Sequence, residues 1–197
     1  MNLPNKLTFS RIIASVIFVA LLSIDIPYSK LIATIVFLLA CITDWIDGII
    51  ARKLNVETDF GKLMDPLADK ILISSAFIVF VGLREVSLPA WTVIIIIARE
   101  FAITGLRLLG TNKGKVIPAG FWGKNKTISQ IFAIVSILLY LSAIEMSKMT
   151  KLFEISDNYI IFFKYYIFII MTITVILTLV SGIIYFNNSW HLLTDKD

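Results

Sequence analysis

The sequence has one cysteine, Cys41, and one histidine, His191, among 197 residues. A single cysteine excludes an intrachain disulfide, and Cys41 lies inside an apolar run, where a thiol acts as a small hydrophobic side chain. A single histidine excludes metal sites built on several imidazoles. Charged residues make up only 16% of the chain, against about 25% in soluble domains. The chain therefore consists mostly of apolar residues, with a few charges among them.

Hydrophobic residues make up 58% of the chain, and the mean hydropathy is +0.88. They occur in long blocks, and a helix that spans a membrane needs about 20 mostly apolar residues. Six blocks qualify or nearly qualify: residues 7–26, 31–50, 71–88, 90–109, 128–144 and 159–186. The pattern predicts an all-α, polytopic membrane protein with six transmembrane helices, in which residues 1–197 form one membrane domain.

The distribution of Lys and Arg predicts the orientation. The side with the N-terminus, the 51–70 and 110–127 connections and the tail carries ten of these residues, and the other side carries four. Because positive residues are retained on the cytoplasmic side, both termini and the 43–70 stretch are predicted to face the cytoplasm. A net charge of +4 is then explained by the orientation of the chain in the membrane and by contact with anionic lipid headgroups, and no nucleic-acid partner is expected.

Four aspartates lie beside the ends of two apolar runs, two near the end of the second run and two just before the third: Asp44, Asp47, Asp65 and Asp69. Each carboxylate placed within a membrane helix costs about 2.5–3.5 kcal/mol, so four together need a compensating partner. Spacings of three and four residues put each pair on one helix face, and Gly61 with Pro66 favours a turn between the two helices or a first-turn proline. Oxygen ligands suit Mg²⁺ or Mn²⁺, and this many carboxylates can hold two such cations for displacement at phosphorus.

The aspartates are also compatible with two roles that involve no catalysis. Charges at helix ends often serve only as solvated interface residues, although the spacing and the intervening glycines count against that here. A cation carrier or channel would also need intramembrane acids, but it predicts them on several helices at different depths, whereas these four cluster at one depth.

The same stretch resembles the CDP-alcohol phosphatidyltransferase family. From Asp44 it reads D-x-x-D-G-x-x-A-R, then eight residues, then G-x-x-x-D-x-x-x-D, with every fixed position at the family's spacing. The resemblance implies a six-helix membrane fold and an enzyme that displaces CMP from a CDP-linked lipid with an alcohol. It also implies that Asp44, Asp47 and Asp65 bind two divalent cations, and that Asp69 contacts the second cation and acts as general base.

The resemblance further implies a set of residues that contact the CDP-lipid. Gly48 would allow close approach of the nucleotide, and Arg52 would pair with its phosphates. The full implied set is Asn5, Thr8, Gly48, Ala51, Arg52, Thr58 and Gly61. Small residues such as Gly48 and Ala51 also favour tight helix packing in membranes.

Basic residues near the cytoplasmic ends of the helices predict where an acceptor binds. A phosphorylated acceptor needs fixed cations, and an unpaired guanidinium within a helix is costly. The candidates are Arg11, Arg99, Arg107, Lys124 and Lys126. Glu100 is expected to neutralise Arg99, because opposite charges inside a bundle usually pair.

The segments 98–107 and 123–130 and the opening of the chain resemble one branch of the family, the bacterial phosphatidylglycerophosphate synthases. That branch implies CDP-diacylglycerol and glycerol 3-phosphate as substrates. Serine, inositol phosphate or phosphatidylglycerol as acceptor is the nearest alternative. The resemblance also implies a homodimer surrounded by membrane lipids.

Overall fold

The computed structural model describes residues 3–54, 59–112, 120–150 and 155–189. These ranges contain six helices and no strand. The helices are α1 (Leu3–Ser23), α2 (Ser29–Leu54), α3 (Asp59–Gly82), α4 (Ala90–Asn112), α5 (Phe121–Thr150) and α6 (Asp157–Ser189). The all-α prediction is confirmed, with one helix for each predicted apolar run.

Two predicted boundaries are wrong. The turn expected between the two helices near Gly61 and Pro66 does not lie at these residues, and Pro66 is not in the first turn, because α3 begins at Asp59 and continues through both. Proline removes one backbone hydrogen bond but does not end this helix. The third apolar run predicts a helix that continues to Leu88, whereas α3 ends at Gly82.

The loop after α3 explains the second error. Val86 and Leu88 are apolar, with 3% and 5% of their surfaces exposed, so they extend the hydropathy signal although they lie outside a helix. Ser87 between them has a φ of 52°, a left-handed conformation that interrupts helical geometry. The hydrophobicity of residues 83–88 therefore reflects a loop that is buried against the helices, and not a continuation of α3.

The helices pack around an interior of large aromatic and small aliphatic side chains. α1 contacts α2 and α3, α5 contacts α2 and α6, and α4 contacts α3 and α6. Phe18 of α1 and Phe37 of α2 have ring centroids 5.5 Å apart, and Ala33, Ala76 and Ala133 are fully buried. Alanine at these contacts lets helix backbones approach closely, as is typical of membrane bundles.

The outward faces of the helices are strongly apolar. α6, for example, exposes large hydrophobic side chains along its whole length, among them Phe162, Phe168, Ile176 and Ile183. Water-soluble proteins rarely leave so large an apolar surface uncovered. α5 and α6 are long and apolar enough to cross a membrane, and α1, α2 and α3 contain the shorter apolar stretches Phe9–Ser23, Ser29–Thr43 and Lys70–Gly82. The number of crossings remains a prediction.

Glu145 of α5 caps the N-terminus of α2. Its carboxylate accepts hydrogen bonds from the backbone N–H groups of Lys30 and Leu31, at 3.0 and 3.3 Å, and from the Ser29 hydroxyl at 3.2 Å. A carboxylate at this position satisfies the free N–H groups and complements the helix dipole. One turn further along, the hydroxyls of Thr34 and Ser142 lie 3.0 Å apart. These contacts fix α2 against α5 at the end of α2 farthest from the aspartates.

Candidate active site

The four aspartates lie on the two helix segments that flank residues 55–58. Asp44 and Asp47 belong to the C-terminal half of α2, and Asp65 and Asp69 to the N-terminal half of α3. Asp44 lies ten residues before Leu54, the last residue of α2, and Asp69 lies ten residues after Asp59, the first of α3. At 1.5 Å per residue, each is about 15 Å along its helix from the connecting segment. The side chains of the four aspartates are outside the described part of the structure.

Apart from Thr58, the residues predicted to contact the CDP-lipid lie in the first turns of α1 and on the same ends of α2 and α3. Asn5 and Thr8 are in α1, Gly48, Ala51 and Arg52 are in α2, and Gly61 is in the first turn of α3. Their side chains are not among those described, and Thr58 lies outside the described residues altogether. Their roles in binding the CDP-lipid remain predictions.

The donor set fits the predicted cations by its chemistry. Four carboxylates supply only oxygen ligands, which suit Mg²⁺ or Mn²⁺ rather than a soft metal. Spacings of three and four residues within continuous helices keep Asp44 with Asp47, and Asp65 with Asp69, on common faces. Among the residues whose side chains are described, no group of three acidic, histidine or cysteine residues forms a metal site, and the four aspartates are not among those residues.

The best-defined polar cluster in the described residues surrounds Glu100 of α4, and we call it the Glu100 cluster. The ammonium groups of Lys126, from α5, and Lys70, from α3, form ion pairs with the two oxygens of the Glu100 carboxylate. Nη1 of Arg99 lies 3.4 Å from Oε1 of Glu100, and the Gln130 side-chain amide donates to the same oxygen at 3.3 Å. Three helices therefore meet at one carboxylate, and the predicted pairing of Arg99 with Glu100 is confirmed.

The centre of the Glu100 cluster is buried. Glu100 and Lys126 are each 3% exposed, and Gln130 is 1% exposed. Burying charge in an apolar bundle is costly unless each group is paired and hydrogen-bonded. The arrangement meets that condition for Lys126 through Glu100, whose carboxylate is shared among several donors.

The other predicted basic residues occupy different environments. Arg99 lies against α6, where a Cβ at Gly182 would lie 3.1 Å from its Cγ. Its Nε is buried and has no hydrogen-bond partner among the described residues. The guanidinium of Arg107 lies over the ring of Tyr185, 5.6 Å from the centroid. Arg11 is buried within α1, whereas Lys124 is exposed. The structure thus brings Arg99 and Lys126 together at Glu100 and places Arg107 further along the same α4–α6 contact.

Two features of this region are not predicted from the sequence. Lys70 is predicted only as one of the positive residues on the cytoplasmic side, although it joins the Glu100 cluster. The composition of α6 predicts an ordinary spanning helix, although α6 buries a polar face at helical spacing that consists of Thr174, Thr178, Ser181, Tyr185 and Ser189. That spacing is visible in the sequence, so the signal for the second feature is present there.

Comparison with known proteins identifies the class of protein to which this fold and this site belong. The family model for CDP-alcohol phosphatidyltransferases matches residues 1–186, which include all four aspartates and the Glu100 cluster. The chain belongs to the CDP-alcohol phosphatidyltransferase family, and it is therefore an all-α membrane enzyme. This membership favours a transferase over the cation-carrier alternative.

Individual relatives indicate the branch. The chain is 40% identical, over an alignment of 204 residues, to a protein of Bacillus subtilis (strain 168) named CDP-diacylglycerol–glycerol-3-phosphate 3-phosphatidyltransferase. The alignment covers 98% of this chain and 97% of that protein. A Rickettsia bellii protein of the same name is 38% identical over 70% of this chain and 75% of its own length. A Mycobacterium tuberculosis protein named probable phosphatidylglycerophosphate synthase is 40% identical over 72% of this chain and 68% of its own length.

Proposed function

We propose that this chain transfers the phosphatidyl group from CDP-diacylglycerol to glycerol 3-phosphate, releasing CMP and forming phosphatidylglycerophosphate for phospholipid biosynthesis. The observation that carries the proposal is the similarity to the Bacillus subtilis relative, which extends over 98% of the chain. A match of that extent includes both the aspartate segments and the basic residues of α4 and α5. The proposal treats residues 1–197 as one membrane domain.

Asp44, Asp47, Asp65 and Asp69 hold the reacting diphosphate in this proposal. Two bound divalent cations, Mg²⁺ or Mn²⁺, would neutralise charge on the diphosphate and stabilise the departing CMP. The family resemblance and the oxygen-only donor set support this assignment. Gly48 and Ala51 leave room for the nucleotide beside α2, and Arg52 pairs with its phosphates.

Asp69 acts as general base on the acceptor. Its carboxylate takes the proton from the attacking hydroxyl of glycerol 3-phosphate as the hydroxyl oxygen bonds to the phosphorus of the phosphatidyl group. The bond from that phosphorus to the CMP oxygen breaks, and CMP leaves with the electron pair. The proton then passes from Asp69 to solvent.

The basic residues of α4 and α5 bind the phosphate of the acceptor. Arg99, Arg107 and Lys126 supply fixed positive charge, which a dianionic phosphomonoester requires. Lys126 and Arg99 share the Glu100 carboxylate, and Arg107 is flanked by Tyr185. Arg11 and the exposed Lys124 complete the predicted set.

The protein is proposed to cross the cytoplasmic membrane six times, with both termini and the active site facing the cytoplasm. The excess of Lys and Arg on that side supports the orientation, and the apolar outer faces of the helices support the lipid environment. A homodimer is proposed from the family resemblance.

The proposed function is tested by identifying the product. The purified chain, in detergent with CDP-diacylglycerol, glycerol 3-phosphate and Mg²⁺, should form a lipid with the mass of phosphatidylglycerophosphate together with equimolar CMP. Release of CMP without that lipid would contradict the proposed acceptor. Cation flux through the chain in vesicles, without lipid product, would contradict the transferase assignment itself.

A further inference from the structure

One carboxylate connects three helices next to the aspartate segment. Oε1 of Glu100 accepts from Lys126 of α5, from Gln130 of α5 and from Arg99 of its own helix, while Oε2 accepts from Lys70 of α3. Lys70 directly follows Asp69 in the chain. Glu100 is therefore bonded both to a residue adjacent to the proposed base and to a proposed ligand of the acceptor phosphate.

We infer that Glu100 is a positioning residue for the acceptor: by holding the ammonium groups of Lys126 and Lys70, it presents fixed positive charge to the phosphate of the incoming alcohol. The inference rests on the proposed function, because it assigns Lys126 to the acceptor. It adds a role for Glu100 and for Lys70, neither of which has a place in the proposed catalytic or binding set.

Lys126 is held in an orientation that lysine seldom adopts in a membrane helix. The four-carbon stem of lysine allows many rotamers, and a lysine within an apolar bundle tends to extend toward the membrane surface. Lys126 instead points inward and is 3% exposed, because the Glu100 carboxylate lies there to receive it. Without that carboxylate, the ammonium groups of Lys126 and Lys70 would repel each other and separate, and the charge presented to a phosphate would no longer be fixed in place.

Cationic donors surround the Glu100 carboxylate. Among the residues whose side chains are described, Lys70, Arg99 and Lys126 contact it. Nε of Arg99 is buried and makes no hydrogen bond within the described part of the structure. A phosphomonoester dianion would bring further acceptor oxygens to these cationic donors.

A purely structural clamp is the competing role for Glu100, and Glu145 provides the matched control. Glu145 also accepts several hydrogen bonds across two helices, but its donors belong to the N-terminus of α2. Neutralising a carboxylate that only holds helices together should lower stability and should not change the KM for one substrate more than for the other. Neutralising Glu100 should raise the KM for glycerol 3-phosphate selectively.

The test measures saturation curves for both substrates with full-length variants. For Glu100→Gln we expect the KM for glycerol 3-phosphate to rise roughly tenfold or more, since a charge-assisted contact is disrupted, while the KM for CDP-diacylglycerol changes by less than about twofold. Glu145→Gln should lower the melting temperature and leave the acceptor KM unchanged. If Glu100→Gln is not recovered from membranes, Glu100→Asp keeps the charge but shortens the reach, and a smaller rise of the same selective kind is expected.

A double-mutant cycle tests whether Glu100 acts through Lys126. If it does, the rise in acceptor KM for Glu100→Gln combined with Lys126→Met should be smaller than the product of the two single rises, and any excess over Lys126→Met alone should come from Lys70. Independent, multiplying effects of the two substitutions, or equal rises in KM for both substrates, would overturn the inference. If the wild-type chain releases CMP only with a different acceptor, the proposed acceptor fails, and the same cycle run with that acceptor still decides the role of Glu100.

Discussion

The guanidinium of Arg107 lies over the ring of Tyr185, with 5.6 Å between the guanidinium carbon and the ring centroid. The contact joins α4 to α6, and it also orients a cation that the proposed function assigns to the acceptor phosphate. Guanidinium groups stack on aromatic faces while keeping their N–H groups available in the plane. α6, whose outer face is strongly apolar, thus supports the basic side of the proposed site through its buried face.

This geometry predicts opposite substrate effects for two arginines. Arg107→Gln should raise the KM for glycerol 3-phosphate by about one to two decades, because a charge-assisted contact contributes roughly 1.5–3 kcal/mol. Arg52→Gln should instead raise the KM for CDP-diacylglycerol, since its proposed partner is the diphosphate. Saturation curves for each substrate measure both effects, and equal changes in both constants would show that these residues only support the fold or the membrane surface.

The aspartates should separate into ligands and base. Asp44→Ala, Asp47→Ala or Asp65→Ala each removes a proposed metal ligand, and turnover should be abolished while the protein still inserts into membranes. Asp69→Asn should also lose turnover but should still bind CDP-diacylglycerol with Mg²⁺, because three carboxylates remain. Near-wild-type turnover in any of the three alanine variants would contradict the two-cation site.

Close packing at Gly182 predicts a position-specific effect of added volume. A Cβ there would lie 3.1 Å from Cγ of Arg99, whereas a Cβ at Gly105 would meet nothing within 4 Å. Gly182→Leu should therefore displace Arg99 and destabilise the α4–α6 contact by about 1–3 kcal/mol, with a lower melting temperature and a higher acceptor KM. Gly105→Leu is the control and should behave as wild type; indistinguishable effects of the two substitutions would contradict the packing.

Much of the fold could be predicted because hydropathy directly reports the environment of a helix in lipid. The six helices follow the six apolar runs in order. The error at residues 83–88 arises because Val86 and Leu88 are buried in a loop, and hydropathy does not distinguish a buried loop from a helix. The turn predicted near Pro66 fails because one missing hydrogen bond is tolerated inside a longer helix.

The site was predictable only in part, for a different reason. The aspartate spacing is local, so it identifies the segment without any knowledge of tertiary structure. The Glu100 cluster joins Lys70 and Lys126, which lie 30 and 26 residues from Glu100, and no local pattern relates residues so far apart. Only the packing of α3, α4 and α5 shows that these charges meet.

The predicted topology can be checked by cysteine accessibility. After Cys41 is replaced by Ala, a single cysteine at position 2 or at position 195 should react with a membrane-permeant reagent and not with an impermeant reagent added outside. An even number of crossings with positively charged connections inside gives this result. External labelling at either position would contradict the cytoplasmic placement of the termini.

The central claim is the identity of the reaction, and CMP release with a panel of acceptors tests it most directly. The purified chain would be given CDP-diacylglycerol, Mg²⁺ and, separately, glycerol 3-phosphate, serine, inositol phosphate or phosphatidylglycerol. We predict that glycerol 3-phosphate supports CMP release at least about tenfold faster than any other acceptor. Serine would leave the phosphate-binding residues unpaired, and inositol phosphate and phosphatidylglycerol are larger than the proposed acceptor. Faster release with another acceptor, or release independent of any acceptor, would contradict the proposed reaction.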